Sequence, residues 1–118
     1  MTIEEKIVQR YRQIPYDEQM EYVKRQQQKF LADENFKQAL HNERNMGIVK
    51  SNNGLQKLID LANAGNKQAM YDVAAVFYFY YIMFKENDEI DEAIDNLVRS
   101  NLWVEESQKA NVIYNCFL

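Results

Sequence analysis

The stretch LANAGNKQAMYDVAAVFYFYYIMF, residues 61–84, decides how this chain folds. Its last twelve residues, 73–84, contain no charged or amide side chain, and six of the twelve are aromatic. A membrane-spanning helix needs about twenty predominantly apolar residues, whereas Asp72 and Lys85 bracket a run of only twelve. The stretch therefore predicts a buried central helix, a surface for a partner, or both, and it does not predict a membrane anchor.

The composition of the chain favours one helical domain. With 118 residues, the chain is long enough to bury a core without disulfide or metal staples. It contains three glycines and a single proline, whereas folds built from many strands need frequent turns. The sequence therefore predicts an all-α fold in which residues 1–118 form a single helical domain.

Capping residues and apolar spacing predict about six helices in antiparallel hairpins, which form a short α-solenoid or an irregular bundle. Thr2 and Glu5 make a capping box for a first helix, which should end near Pro15. The other predicted boundaries in residues 1–50 are Asp17 as the cap of a second helix, Asp33 or Asn35 as its interruption or the cap of its continuation, and a turn at Met46 and Gly47.

The signals for helix ends are clearer in the second part of the sequence. The segment SNNG, residues 51–54, is typical of a loop, and Gly65 suits the position that follows a short helix. The apolar stretch then gives a helix at about residues 66–85. Acidic residues precede the next helix, which carries Ile90, Ala93, Ile94 and Leu97. Ser100 or Asn101 is predicted to begin a last helix carrying Trp103, Val104, Ala110, Ile113, Tyr114 and Phe117.

The predicted central helix is apolar on two opposite faces. The face expected to lie in the core carries Ala69, Val73, Val76, Phe77, Tyr80 and Phe84. The opposite face carries Tyr71, Ala75, Tyr78, Phe79 and Ile82. Neighbouring helices either cover this second face or leave part of it open. In the latter case Tyr71, Tyr78 and Ile82 form a binding surface, since tyrosine combines apolar area with a polar tip.

The residues that follow Gly65 have the spacing of a repeat. Four, six, eight, nine and twelve residues after Gly65 stand Ala69, Tyr71, Val73, Ala74 and Phe77. This pattern resembles the first helix of a Sel-one-like repeat, a tetratricopeptide-related unit of about 36 residues. The resemblance covers residues 61–98, with Ala93 and Leu97 in the second helix, although Tyr80 and Asn101 stand where the family has glycines. It implies a scaffold of stacked helix hairpins that presents a concave surface to proteins or peptides.

Charge is unevenly distributed along the chain, whose formal net charge is −4. Residues 1–50 carry nine Lys and Arg against eight Asp and Glu, whereas residues 51–118 carry five against ten. The sequence has no basic patch of the kind that binds nucleic acid directly. The acidic residues 86–95 lack the spacing and the glycine of a calcium loop, and they are typical of a helix start.

Few side chains could support catalysis or metal binding. His41 is the only histidine and Cys116 the only cysteine, so three zinc ligands of these types are lacking and no internal disulfide can form. The sequence also lacks a glycine-rich phosphate loop, a nucleophile elbow and a zinc-protease helix. We therefore expect a cytoplasmic protein without enzymatic activity, metal or cofactor.

These features favour a small non-catalytic protein–protein interaction module, such as a bacterial or phage adaptor, immunity protein or stoichiometric inhibitor. The alternative is an acidic nucleic-acid mimic that blocks a basic channel, which requires the acids of residues 86–95 and 105–106 to line one surface. In both cases the partner is another protein, without direct contact to nucleic acid or membrane. The residues predicted to contact it are Tyr71, Tyr78, Ile82, Asp88, Asp91, Glu92 and Asp95.

Overall fold

Helices make up all the regular structure that is described. The computed structural model describes the backbone of residues 1–116 and the side chains of residues 1–109. The prediction of an all-α fold is confirmed, with seven helices in this part of the chain against the predicted six or so. They are α1 (Ile3–Gln13), α2 (Tyr16–Leu31), α3 (Glu34–Leu40), α4 (Glu43–Ser51), α5 (Leu55–Asn63), α6 (Lys67–Glu86) and α7 (Ile90–Cys116).

Polar side chains begin four of these helices. Thr2 Oγ1 accepts a hydrogen bond from the Glu5 amide at 3.1 Å, and Asp33 Oδ1 accepts one from the Asn35 amide at 2.9 Å. Asn42 and Asn66 cap α4 and α6 in the same way. Each cap satisfies an amide that has no partner inside its own helix. The predicted caps at Thr2 and Asp33 are confirmed, and Glu5 Oε1 of the predicted capping box accepts a hydrogen bond from the Thr2 hydroxyl at 3.1 Å.

Two predicted boundaries in the first half are wrong. The second helix begins at Tyr16, directly after Pro15, and Asp17 lies in its first turn rather than capping it. The predicted turn at Met46 and Gly47 lies inside α4. The chain turns earlier because Asn42 accepts a hydrogen bond from the Arg44 amide and so starts α4 there.

One continuous helix, α7, replaces the two helices predicted to meet at Ser100 and Asn101. Both residues are buried, and Ser100 Oγ donates to the carbonyl oxygen of Ala74 in α6 at 2.8 Å. Its hydroxyl thus binds the neighbouring helix instead of capping its own. The side chains of Ala110, Ile113, Tyr114, Cys116 and Phe117 lie outside the described residues.

The apolar helix α6 lies at the centre of the fold. It packs most extensively against α7, and α3, α4 and α5 also pack on it, while α1 and α2 pack on α7. The contact between Ser100 and Ala74 joins residues equally far along the chain from Asn87, so α6 and α7 form an antiparallel hairpin. The buried apolar side chains form one continuous core around this hairpin.

Candidate functional site

The helix α6 consists of a buried half, residues 69–76, and an exposed half, residues 77–86. Residues 69–76 are all buried, whereas each of residues 77–86 is partly or fully exposed. Ile82 and Met83 in the exposed half retain 36% and 37% of their accessible surface. A contiguous run of large apolar side chains at a surface marks a candidate interaction site, and residues 77–84 form such a run. The exposed half is therefore the candidate site.

Tyr71, predicted to contact a partner, belongs instead to the core. Its side chain is 0% exposed, and its hydroxyl donates to Asp33 Oδ2 at 3.0 Å. The same carboxylate oxygen accepts a hydrogen bond from Gln108 Nε2 at 3.0 Å. Asp33 at the start of α3 thus connects α6 with α7. The predicted surface of Tyr71, Tyr78 and Ile82 is reduced to its last two members.

A polar network explains how α4 covers the buried half. Asp72 is only 2% exposed, and its Oδ1 accepts a hydrogen bond from Asn45 Nδ2 at 3.0 Å. Arg44 Nη2 lies 3.5 Å from Asp72 Oδ2, and Asn45 also donates to the Ala39 carbonyl at 2.9 Å. A buried carboxylate needs such partners because burial removes its hydration. The network therefore fixes α4 on α6.

The surface of the exposed half is built around three side chains, Tyr78, Tyr81 and Ile82, which we call the α6 strip. Tyr78 packs edge-on against Phe36 of α3, with ring centroids 5.8 Å apart, and against Tyr81 at 5.5 Å. Lys85 Nζ lies 5.6 Å from the centre of the Tyr81 ring. Partial burial, together with Tyr81, raises the pKa of Tyr78 above its ordinary value, against the opposing effect of Lys85.

A shallow groove runs along the α6 strip. It has a volume of about 460 Å³, and its lining comprises the strip together with Gln27 of α2, Lys85 and Glu86. Helix α2 packs mainly on α7 and α3, which leaves the groove between α2 and the exposed half of α6. Tyr78, Tyr81, Ile82 and Lys85 have the i, i+3, i+4, i+7 spacing of one helix face. That spacing could have identified Tyr81 and Lys85 from the sequence.

Three residues predicted to be fully in the core are only partly buried. Phe77, Tyr80 and Phe84 lie in the exposed half of α6 and keep part of their surface in solvent. The Tyr80 hydroxyl donates to Asn52 Oδ1 at 3.2 Å, just after the end of α4. The predicted core face is therefore confirmed at Ala69, Val73 and Val76. Its later residues are only partly buried.

The predicted acidic contact residues surround the turn between α6 and α7. Asp88, Asp91 and Glu92 are exposed, and Asp95 is partly buried. Two of these carboxylates have partners inside the chain, because Asp91 accepts a hydrogen bond from the Tyr16 hydroxyl and Asp95 Oδ2 lies 3.3 Å from Arg99 Nε. Asp88 and Glu92 form no salt bridge with a described residue.

The second acidic pair, Glu105 and Glu106, has different surroundings. Glu105 Oε1 lies 2.5 Å from Arg10 Nη1, and Glu105 Oε2 accepts a hydrogen bond from the Tyr22 hydroxyl at 3.0 Å. Glu106 Oε1 lies 3.4 Å from Lys109 Nζ. Burial and the charge of Glu105 raise the pKa of Tyr22 strongly. Glu105 thus anchors α1 and α2 on α7.

The remaining titratable candidate, His41, lies at the end of α3. It is exposed, and its Nδ1 lies 2.7 Å from the Lys37 carbonyl oxygen. Among residues with described side chains, His, Cys, Asp and Glu do not gather into a group of three or more that could hold a metal ion. The residues that the structure brings together make a mixed groove, lined by the α6 strip with Gln27, Lys85 and Glu86, beside an acidic turn.

Comparison with known proteins adds no relative. None of the family models, curated proteins and solved structures compared with the chain matches it. No helix in the described part of the chain combines the length and the apolar character needed to cross a membrane.

Proposed function

We propose that this chain is a non-catalytic protein-binding module that acts as an adaptor or stoichiometric inhibitor. The observation that carries the proposal is the α6 strip, where Tyr78, Tyr81 and Ile82 line an open groove. Aromatic side chains in desolvated pockets supply much of the energy of protein interfaces. A partner that fills the groove would bury this surface, and such binding forms and breaks no covalent bond.

The shape of the groove favours a protein over a small molecule. Small-molecule sites enclose most of the ligand, whereas this groove is shallow and lies between α2 and α6. Each tyrosine of the strip offers a large rigid apolar surface together with a hydroxyl that can bond to a partner. These properties suit recognition of a helix or an extended segment.

We also propose that residues 61–98 act as a Sel-one-like hairpin. In support, α6 and α7 form an antiparallel pair with a short turn at residues 87–89. Tyr80 continues α6 where the family turns at glycine, so the hairpin is longer than the repeat it resembles. A cytoplasmic location completes the proposal, because a single cysteine allows no internal disulfide.

The second candidate function is an acidic nucleic-acid mimic. The observation that favours it is the acidic turn, where Glu86, Asp88, Glu89 and Glu92 are exposed and form no salt bridge with a described residue. The observation against it is Glu105, whose carboxylate binds Arg10 and Tyr22 inside the fold. The acids of residues 105–106 thus offer little charge to a basic channel.

Affinity capture with matched variants tests the proposal. The tagged full chain is used to capture partners from native cells, followed by mass spectrometry, alongside Ile82→Gln and Leu61→Gln. Both residues are exposed aliphatics in the last turns of their helices, 36% and 49% exposed, but only Ile82 lines the groove. We expect Ile82→Gln to lose the partner and Leu61→Gln to keep it, with melting temperatures close to that of the parent chain.

Salt separates the two candidate functions in the same experiment. Contacts between exposed charges are screened above a few hundred millimolar salt, where the Debye length falls to about 3–5 Å. A partner retained at high salt and lost with Ile82→Gln supports binding in the groove. A partner released by salt and unaffected by Ile82→Gln supports the mimic and rejects the module proposed first.

A further inference from the structure

The charges around the α6 strip are arranged asymmetrically. At the hairpin end, residues 85–95 carry six Asp and Glu against the single Lys85. Lys85 lies over the Tyr81 ring, while Glu86, Asp88, Glu89 and Glu92 are exposed and form no salt bridge with a described residue. The groove therefore ends in a field of uncompensated negative charge.

The other wall of the groove has a different character. Gln27 of α2 lines it and carries no charge. Lys24 precedes Gln27 by three residues, which places it on a neighbouring part of the same helix face, and it is exposed. The α2 wall is thus neutral to weakly basic, whereas the hairpin end is acidic. A bound segment would therefore meet more negative charge at the hairpin end than along α2.

From this arrangement we infer that the groove binds an amphipathic helix that carries its Lys and Arg residues at one end. This inference rests on the proposed function, since it names the class of partner for the same surface. The apolar face of the helix lies on Tyr78, Tyr81 and Ile82, in the helix-in-groove manner. Its basic end lies over Glu86, Asp88 and Glu89, where complementary charge accelerates association and fixes orientation.

The dimensions of the groove set the length of this helix. Residues 78–86 of α6 span about 12 Å at 1.5 Å per residue. A partner helix of two to three turns matches that span, with large apolar side chains three or four residues apart facing α6. Its flanking cations would number two or more, because the turn presents several carboxylates.

Neutralising the acids at the hairpin end gives the sharpest test of charge. The triple variant Glu86→Gln, Asp88→Asn, Glu89→Gln is compared with Glu5→Gln, Glu43→Gln, Asp60→Asn. Each triple removes three negative charges, and all six residues are exposed and form no salt bridge with a described residue. At physiological salt we expect the first triple to weaken binding of the captured partner about tenfold, and the control triple to change it less than about twofold.

A photocrosslinker identifies the bound segment itself. Gln27, which lines the groove on α2, is replaced by p-benzoylphenylalanine in the full chain, and the crosslinked peptide is sequenced. A peptide with spaced apolar residues and Lys or Arg at one end supports the inference. An acidic or uncharged peptide, a peptide from a second copy of this chain, or no crosslink to a partner that is still captured would overturn it.

The outcomes distinguish this inference from the function on which it rests. If Ile82→Gln leaves capture unchanged, the protein-binding groove itself is rejected. If Ile82→Gln abolishes capture while the acidic triple has no effect, the groove stands and the basic helix is rejected. If the triple abolishes capture and Ile82→Gln does not, charge alone binds the partner, as in the mimic, and the amphipathic helix is again rejected.

Discussion

The half of α6 that is more exposed to solvent is also the more apolar half. The buried half, residues 69–76, contains three alanines, two valines and an aspartate beside the larger Met70 and Tyr71, whereas residues 77–84 are all large and apolar. Small side chains allow neighbouring helices to approach closely, and α3, α4, α5 and α7 surround α6. Large aromatic side chains that the neighbouring helices do not fully cover form an apolar surface. Burying this surface against a partner would be favourable.

The largest expected effect compares one tyrosine from each half. Tyr71→Ala should lower the free energy of unfolding by about 3–5 kcal/mol, because it opens a cavity in the core and removes the hydroxyl that binds Asp33. Tyr81→Ala should cost about 1 kcal/mol or less, since its ring is partly in solvent. Urea unfolding measures both, and equal costs would remove the distinction between the halves.

A second effect concerns the charge in the buried half. Asp72→Ala leaves Asn45 Nδ2 without one of its acceptors and should lower the free energy of unfolding by about 2–3 kcal/mol. The exposed Glu86 of the other half provides the control, because Glu86→Ala should change it by no more than about 0.5 kcal/mol. If urea unfolding shows Asp72→Ala to be as mild as the control, the network does not hold α4 on α6.

Tyr78 lies at the boundary between the halves and should show both behaviours. Tyr78→Ala removes a half-buried ring and its edge-on contact with Phe36, which should cost about 1–2 kcal/mol in urea unfolding. It should also weaken capture of the partner. A steep loss of stability, comparable with that of Tyr71→Ala, would place Tyr78 in the core, and full stability with full capture would remove it from the site.

The smallest effect is a dependence of stability on alkaline pH. Burial raises the folded-state pKa of Tyr78 above its unfolded value of about 10. A group of this kind contributes stability that is fully present below about pH 10 and is lost as the pH rises further. Between about pH 9 and about pH 11 the melting temperature should therefore fall less steeply for Tyr78→Phe than for the parent chain. Equal slopes would contradict the prediction.

The sequence predicts the elements of this fold better than their contacts. The cap at Thr2, the cap at Asp33 and the end of α5 at Gly65 depend on local hydrogen bonds and backbone angles, which the local sequence encodes. Ser100 and Asn101 have the chemistry of helix caps, but Ser100 bonds to Ala74 in another helix. Long-range partners of this kind cannot be inferred from spacing along one segment.

The candidate site shows the same limit. Helical spacing places Tyr71, Tyr78 and Ile82 on a common face, but only the positions of the neighbouring helices decide which of them is covered. Asp33 lies 38 residues before Tyr71 and accepts a hydrogen bond from its hydroxyl, and Tyr71 is buried in the core. Tyr78 and Ile82 line the groove because α2 packs mainly on α7 and α3.

Two methionines of α6 allow the most direct test of this division. Met70 in the buried half is 2% exposed and Met83 in the exposed half is 37% exposed, while Met46 on α4 provides a reference at 38%. Oxidation by peroxide follows exposure and can be timed by peptide mass spectrometry. We expect Met83 and Met46 to oxidise at similar rates and Met70 far more slowly. Equal rates for Met70 and Met83 would contradict the division of α6 into a buried and an exposed half.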